Sequence, residues 1–302
     1  MIINPLVSIV CTAYNHEAFI KDALDGFVKQ KTSFEFEIIV HDDASNDKTV
    51  DIIKDYEKKY PNLFFNIYQK INQFSNKEIN IWADIISPKA RGKYIAICEG
   101  DDYWTDPYKL QRQVDLIEKH PKASMCVALC RKKIENTGEF IKQNVTFNNE
   151  YGFLSFNNIN EYYHTSTYLF KKSLYDLVYN KYKQLLMGDT SLRLLLNNEG
   201  PFLILNKEVS VYRMTGEGIW TSINRFERDV SHFKMYGLFR KFHVKSKRYY
   251  YARMELYYLN KIIWKKNINP FKESRWNLLK TYFYLLFRYD ILFPFKTLIR
   301  TT

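Results

Sequence analysis

The stretch LVSIVCTAYNHEAFIKDALDGFVKQKTSFEFEIIVHDDAS, residues 6–45, decides the fold. It opens on a short continuous apolar run, residues 6–14, of the kind a strand shows when both of its faces are covered. Residues 17–30 then place Phe19, Ile20, Ala23, Leu24 and Phe27 at helical spacing. FEIIVHDDAS, residues 36–45, is a second strand that ends in acidic and turn residues. Ser45 or Asn46 suits the cap of a following helix through Lys59, whose apolar positions are Val50, Ile52, Ile53 and Tyr56. Working outward, NLFFNIY (62–68) is a third strand, residues 79–90 a helix, and KYIAICEGDDYW (93–104) a fourth strand running into a loop. This alternation predicts an α/β fold with a mostly parallel sheet and helices on both faces. Ligands in such sheets bind beyond the carboxyl ends of the strands. The acids fall there: Asp42 and Asp43 after the second strand, Glu99, Asp101 and Asp102 after the fourth. TAYNHEAF, after the first strand, has no glycine, which argues against a dinucleotide fold with a glycine-rich phosphate loop.

Beyond residue 124 the order changes. SMCVALCRKKIE and TSTYLFKKSLYDLV alternate with polar stretches, and MGDTSLRLLLNNEGPFLILNKEVSVYR reads as a short helix opened by Asp189 and then a strand. Hydrophobic residues are 46% of the chain and aromatics 17%, more apolar surface than a disordered chain leaves in water. The net charge of +12 is unevenly placed: residues 1–235 hold 30 Lys+Arg and 30 Asp+Glu, residues 236–302 hold 15 and 3. The excess therefore lies in a C-terminal tail, and the neutral body is not built to grip phosphate backbones, so nucleic acid is not an expected partner. Cys11, Cys98, Cys126 and Cys130 lie in apolar runs and read as small buried hydrophobes of a reducing compartment. The N-terminus lacks a basic region ahead of its apolar run, so the body is expected to be cytoplasmic.

The acidic cluster Glu99-Gly100-Asp101-Asp102 suits chemistry in which a diphosphate leaves, because carboxylates at a strand end hold the hard divalent cation that stabilises the leaving charge. Four blocks carry a resemblance: PLVSIVCTAYNHEAFIKDALDGFVKQ, FEIIVHDDASNDKTVDIIKDY, ARGKYIAICEGDDYWTDPYKLQRQVDLIEKHP and GDTSLRLLLNNEGPFLILNKEVSVYRMTGEGIW, in this order over roughly residues 5–221. The chain resembles family 2 inverting glycosyltransferases, the bacterial branch that builds capsule, O-antigen and other surface polysaccharides. The resemblance implies a GT-A fold, with a Rossmann-like nucleotide-binding half fused to an acceptor-binding half over residues 1–225, and a basic, aromatic, helical region over 226–302. It implies hexosyl transfer from a nucleotide-sugar donor, with UDP as carrier, to a glycan or lipid-linked glycan acceptor, assisted by Mg²⁺ or Mn²⁺.

Carried onto this chain, the resemblance puts Thr12, Ala13 and Tyr14 along the nucleotide base and Asp42 and Asp43 at base and ribose. Asp101 falls on the metal-ligating aspartate, with Glu99 in place of the commoner aspartate before it. Gly100, Asp102 and Trp104 continue the donor block, and Arg91 and Arg213 are expected to approach the diphosphate. Asp189 falls on the general base that takes the acceptor hydroxyl's proton, although an aspartate there also suits an ordinary helix cap. The family's later histidine is Thr215 here, and Gly216 and Gly218 would let a loop close over the donor. His164 in YYHTST reads as a structural polar residue.

The tail mixes Lys and Arg with clustered Trp, Tyr and Phe and has no apolar run of about 18 residues, so it is expected to lie on an anionic membrane, at the inner face of the cell membrane, rather than to cross it. A helical subdomain packed on the body is the competing reading. The rival functions are a nucleotidyltransferase, which lacks its glycine-rich basic loop here, a nucleic-acid binder using the tail, and a degenerate transferase that keeps only the binding fold.

Overall fold

The computed structural model describes residues 4–76, 78–141, 149–154, 163–182, 188–216, 224–242, 247–263 and 273–289. Two compact units divide the chain, Met1–Thr215 and Gly216–Thr302. Gly218 and most of the expected closing loop lie outside the described residues, as do residues 290–302 of the tail.

The first unit opens with β1 (Val7–Ala13), α1 (Ile20–Val28), β2 (Phe36–Asp42), α2 (Thr49–Lys59) and β3 (Ile67–Tyr68). β4 (Tyr94–Ile97), β5 (Tyr103–Trp104) and α3 (Lys109–Lys119) follow. The second half holds β6 (Met125–Ile134), β7 (Phe140–Ile141), β8 (Tyr151–Leu154), β9 (Leu169–Lys171), α4 (Lys172–Tyr182), α5 (Asp189–Glu199) and β10 (Phe202–Met214). The strands form one sheet in the order β3-β2-β1-β4-β9-β6-β10-β5, with β7 beside β6 and β8 beside β10. β1, β2, β3 and β4 run parallel. β9 enters antiparallel between β4 and β6, while β6 and β10 are parallel to each other. This is a GT-A fold, a mostly parallel half continued by a mixed half, followed by a helical C-terminal region.

The apolar runs behave as their patterns require. All of β2 and six of the seven residues of β1 are buried, and α1 turns Ile20, Ala23, Leu24 and Phe27 into the core against them. Two expected elements shrink. The strand at 62–68 is reduced to Ile67–Tyr68, with a bridge at Phe64, because the Asn66 side chain accepts from Val40 N (3.2 Å) where a backbone carbonyl would otherwise pair. The helix at 79–90 is a six-residue π-helical turn, Ile81–Ile86, in which Ser87 N donates to Trp82 O five residues back. Pro88 then has no N–H to continue a ladder.

In the second unit α6 (Arg225–Phe242), α7 (Arg248–Ile263) and α8 (Glu273–Tyr289) pack together around Ala252, Leu256, Leu259 and Leu285. Among the described residues no helix is long and apolar enough to cross a membrane.

Candidate active site

The loops that leave β1, β2 and β4 are laced together at the carboxyl edge of the sheet. Thr12 O accepts from Gly100 N and Ala13 O from Asp43 N, each at 2.9 Å. Asn15 (φ 54°) and Ala44 (φ 65°) sit side by side in left-handed backbone that non-glycine residues avoid at a cost of about 1–3 kcal/mol each. Asn15 N donates to Ser45 Oγ (2.9 Å) and Asn46 N to Asn15 Oδ1 (2.8 Å), which holds that strain in place. Within Thr12–Tyr14, Ala13 is buried, Thr12 half-buried, and the Tyr14 ring projects into solvent. Asp42 accepts from Ser45 N and Oγ, and the two oxygens of Asp43 accept from Gln73 N (2.7 Å) and Phe74 N (2.9 Å). Both acids are buried, and each oxygen retains a lone pair after these bonds.

Glu99, Asp101, Asp102 and Asp189 converge, although Asp189 comes from the far half of the unit. Burial first, and then the negative charges of Asp101 and Asp189, push the Glu99 carboxyl up to about 8. Asp102 is raised by burial and by Asp101 and Glu99; its Oδ1 accepts from Arg213 N at 2.9 Å. His164, 62 residues away in the chain, places Nδ1 3.2 Å from Asp102 Oδ2, and its ring stacks on Tyr212 with centroids 4.0 Å apart. Asp189 is the first residue of α5, with Gly188 (φ 99°) as the cap, so the cap reading of Asp189 does not hold. Its Oδ1 accepts from Thr190 N (2.7 Å), and Arg193 Nη2 lies 4.0 Å from Oδ2.

His16 was not singled out by its sequence. A side-chain carbon on Gly100 would lie 2.8 Å from His16 Nδ1 and 2.9 Å from Ile20 Cδ1, so any larger residue at position 100 would have to displace the imidazole and Ile20. Burial holds His16 below its ordinary pKa, against the opposing pull of Asp101, Asp47 and Asp42.

Three expected donor contacts lie elsewhere. Arg91 stands at the amino ends of β1 and β2, where Glu37 accepts from its Nε (2.7 Å) and backbone N (2.8 Å). The length of β1 separates it from the acids. The Trp104 ring is 4% exposed and packs edge-on against Phe27 (4.9 Å), with the Lys109 ammonium 4.1 Å from its centre and Nε1 donating to Ser166 O (2.8 Å). It is core. Arg213 is likewise buried: Nη1 donates to Asp101 O (3.0 Å), Nη2 pairs with Asp22 and Nε faces Glu135 (3.3 Å). Its guanidinium braces the Asp101 loop from behind. Asp102, fully buried, works from the same inner layer.

The profile described as "Glycosyl transferase family 2" matches residues 8–178, more than half of the chain. The chain belongs to this family. Among curated proteins, an uncharacterized protein of Mycobacterium tuberculosis is 47% identical over 120 residues, covering 40% of this chain and 34% of that one. The poly(ribitol-phosphate) beta-glucosyltransferase of Bacillus spizizenii is 37% identical over 103 residues, covering 32% of this chain and 15% of that one. The match therefore spans about a third of the length of the first relative and less of the second. The crystal structure of S. aureus TarS with UDP-GlcNAc superposes with a TM-score of 0.62 at 18% identity, over 94% of this chain and 80% of that one, which shows the shared fold.

The donor set suits a divalent cation. Asp101 and Glu99 are both half-buried, the Asp101 loop is fixed by Arg213, and Asp102 lies buried behind them. Carboxylate oxygens at a strand end match the preference of Mg²⁺ and Mn²⁺.

The Glu99 carboxyl also fixes a pH dependence. With a folded pKa of about 8 against the ordinary 4.5, the folded metal-free chain keeps a proton that the unfolded chain gives up between those values. Stability is therefore expected to fall as pH rises from about 4.5 to about 8. Glu99→Gln should flatten the fall in urea midpoint between pH 5 and pH 8, with Asp102 leaving a residual slope of the same sign. An unchanged slope in Glu99→Gln would show that burial does not hold the proton there.

Proposed function

We propose that this chain transfers one hexosyl unit from a nucleotide sugar, with UDP as carrier, to a hydroxyl of a glycan or lipid-linked glycan in surface-polysaccharide assembly, with inversion. The observation that carries the reading is the convergence of Glu99, Asp101 and Asp189 beside the exposed Tyr14 at the carboxyl edge of the sheet. Tyr14 offers its face to the base, and the backbone of Thr12 and Ala13 with Asp42 and Asp43 forms the wall behind base and ribose. Asp189, with 26% of its side chain exposed, takes the proton of the acceptor hydroxyl as its oxygen bonds to the anomeric carbon. The bond from that carbon to the diphosphate breaks, and the nucleoside diphosphate leaves with the electron pair. A divalent cation held through Asp101 would neutralise that departing charge. UDP-GlcNAc is bound in the TarS structure, and poly(ribitol-phosphate) is in the name of the Bacillus relative; both support a nucleotide-sugar donor and a surface-polymer acceptor.

The test is hydrolysis and transfer across a panel of nucleotide sugars with Mg²⁺ or Mn²⁺, run beside Asp101→Ala. Turnover of one donor, lost with Asp101→Ala, is the expected result. Silence across the panel together with no calorimetric binding of any nucleotide would overturn it.

The excess charge of residues 236–302 further supports docking of the second unit on an anionic membrane, where each basic residue near the surface contributes about 1 kcal/mol. Exposed Phe283, Tyr284 and Phe287 lie next to exposed Lys280 and Arg288 on α8. Full-length protein should co-sediment with phosphatidylserine vesicles at low salt. Equal recovery with neutral vesicles would count against membrane docking by charge.

A further inference from the structure

The fold takes away both arginines expected to meet the donor's diphosphate. Arg91 is held by Glu37 at the other end of β1, and the Arg213 guanidinium is engaged by Asp22, Glu135 and the Asp101 carbonyl. β1 lies between β2 and β4 in the sheet. In the proposed transferase the base and ribose lie over the ends of β1 and β2, and the cation lies at the Asp101 loop after β4. The diphosphate that joins them therefore has to cross the loop after β1. His16 stands in that loop, with its backbone fixed on both sides. His16 N donates to Oγ1 of the buried Thr49 (2.8 Å), and His16 O accepts from Phe19 N (2.9 Å) and Ile20 N (2.8 Å) at the start of α1. The ring is half-buried, and its Nδ1 edge packs on Gly100, the residue before Asp101.

The inner edge of the ring decides where its proton sits. Nδ1 is buried without a hydrogen-bond partner, and its surroundings are the Gly100 backbone and the Ile20 methyl. A buried N–H left without an acceptor is rarer in proteins than an acceptor left without a donor. The neutral ring therefore keeps its proton on Nε2, and a charged ring carries one there as well. In either state the outer edge presents an N–H. The carboxylates whose charge acts on the ring are Asp101, Asp47 and Asp42, from the loops after β4 and β2. A diphosphate entering between these acids needs donors of its own to replace the water that it loses.

We propose that His16 is a donor-binding residue that gives a hydrogen bond from Nε2 to a diphosphate oxygen of the nucleotide sugar. The inference rests on the transferase reading. Because the backbone and the Gly100 contact hold the imidazole before the donor arrives, the bond needs no rearrangement. It strengthens as negative charge gathers on the departing diphosphate. Gly100 then has a role of its own, since a side chain there would take the space that directs the ring.

The experiment compares the affinities of uridine and UDP, both with Mg²⁺, for tag-free full-length wild type, His16→Gln and His16→Leu. Glutamine can carry an amide N–H to about the place of Nε2, whereas leucine fills space and donates nothing. His16→Leu is expected to bind UDP at least about tenfold more weakly than wild type, the loss typical of a hydrogen bond to a charged group. Its uridine affinity should stay within about twofold, and His16→Gln should bind UDP within about threefold of wild type. Proton–nitrogen spectra of wild type labelled at histidine, with the His16 signals assigned from their absence in His16→Gln, test the contact without relying on how a variant folds. They should show Nε2 protonated and its N–H resonance shifted by UDP. Undiminished UDP binding by His16→Leu, equal losses for uridine and UDP, a glutamine variant as weak as the leucine one, or a His16 proton on Nδ1 alone would each overturn the proposal. Wild type that binds no nucleotide would sink the transferase reading and this inference with it, whereas UDP binding without the His16 pattern overturns this inference alone.

Discussion

Asp189→Asn is expected to lower kcat for sugar transfer by about 10³-fold while leaving nucleotide-sugar affinity within about threefold, since a positioned general base contributes roughly 10²–10⁴-fold. Asparagine is nearly isosteric and keeps the oxygen that accepts from Thr190 N, so α5 should start where it does now. What it loses is the ability to take a proton. Gly188 supplies the helix cap, so the substitution does not remove a cap, and thermal stability should change little. Two groups set the environment of the carboxylate: Arg193 approaches Oδ2 at 4.0 Å, and the Glu99 site feels the charge of Asp189. The split between kcat and affinity is the useful readout, because a residue that only shaped the donor pocket would move both. If Asp189→Asn retained activity within tenfold, the base would have to be sought among the other acids of the cluster.

The parts of the fold that were legible in the sequence are those with an unbroken apolar pattern, on one stripe of a helix or on both faces of a strand. β1, α1 and β2 follow their patterns because Ile20, Ala23, Leu24 and Phe27 fall on one helical stripe against two continuous apolar strands. α3 was not legible in this way. Its inward face includes Lys109 and Gln113, both fully buried, and these polar side chains satisfy each other at 2.8 Å within the core. Burial beside Trp104 lowers Lys109 to about 7. A periodicity read on hydrophobicity scores those two positions as surface.

The site divides along the same line. Glu99 and Asp101 were singled out because acids at strand ends converge by topology, whereas Asp189 was singled out through the resemblance alone. Arg91 was misplaced because adjacency to β4 in sequence does not say which end of the strand a side chain serves, and Glu37 captures it at the amino end. His164 and Asp102 are 62 residues apart, so only folding through β9 brings them to 3.2 Å. The glycine at position 100 was a legible clue in retrospect. A residue type chosen for want of a side chain implies an occupant of that space, and His16 is the occupant.

Trp104→Ala is expected to destabilise the first unit by about 3–5 kcal/mol, the range for deleting a large aromatic side chain from a core. At roughly 2–4 °C per kcal/mol for a unit of this size, the Tm should fall by about 6–20 °C. The deletion empties the space between Phe27 and Lys109, removes the ring that faces a buried ammonium, and leaves Ser166 O without the indole donor. It also loosens the turn that carries His164, since Ser166 stands between the two. Trp104→Phe separates packing from ligand contact. Phenylalanine refills most of the volume but cannot donate to Ser166 O, so the loss of stability should be intermediate. The KM for the nucleotide sugar should stay within about threefold in Trp104→Phe if the ring is core. A tenfold rise in KM with an unchanged Tm would place the ring against the donor instead, which its 4% exposure opposes.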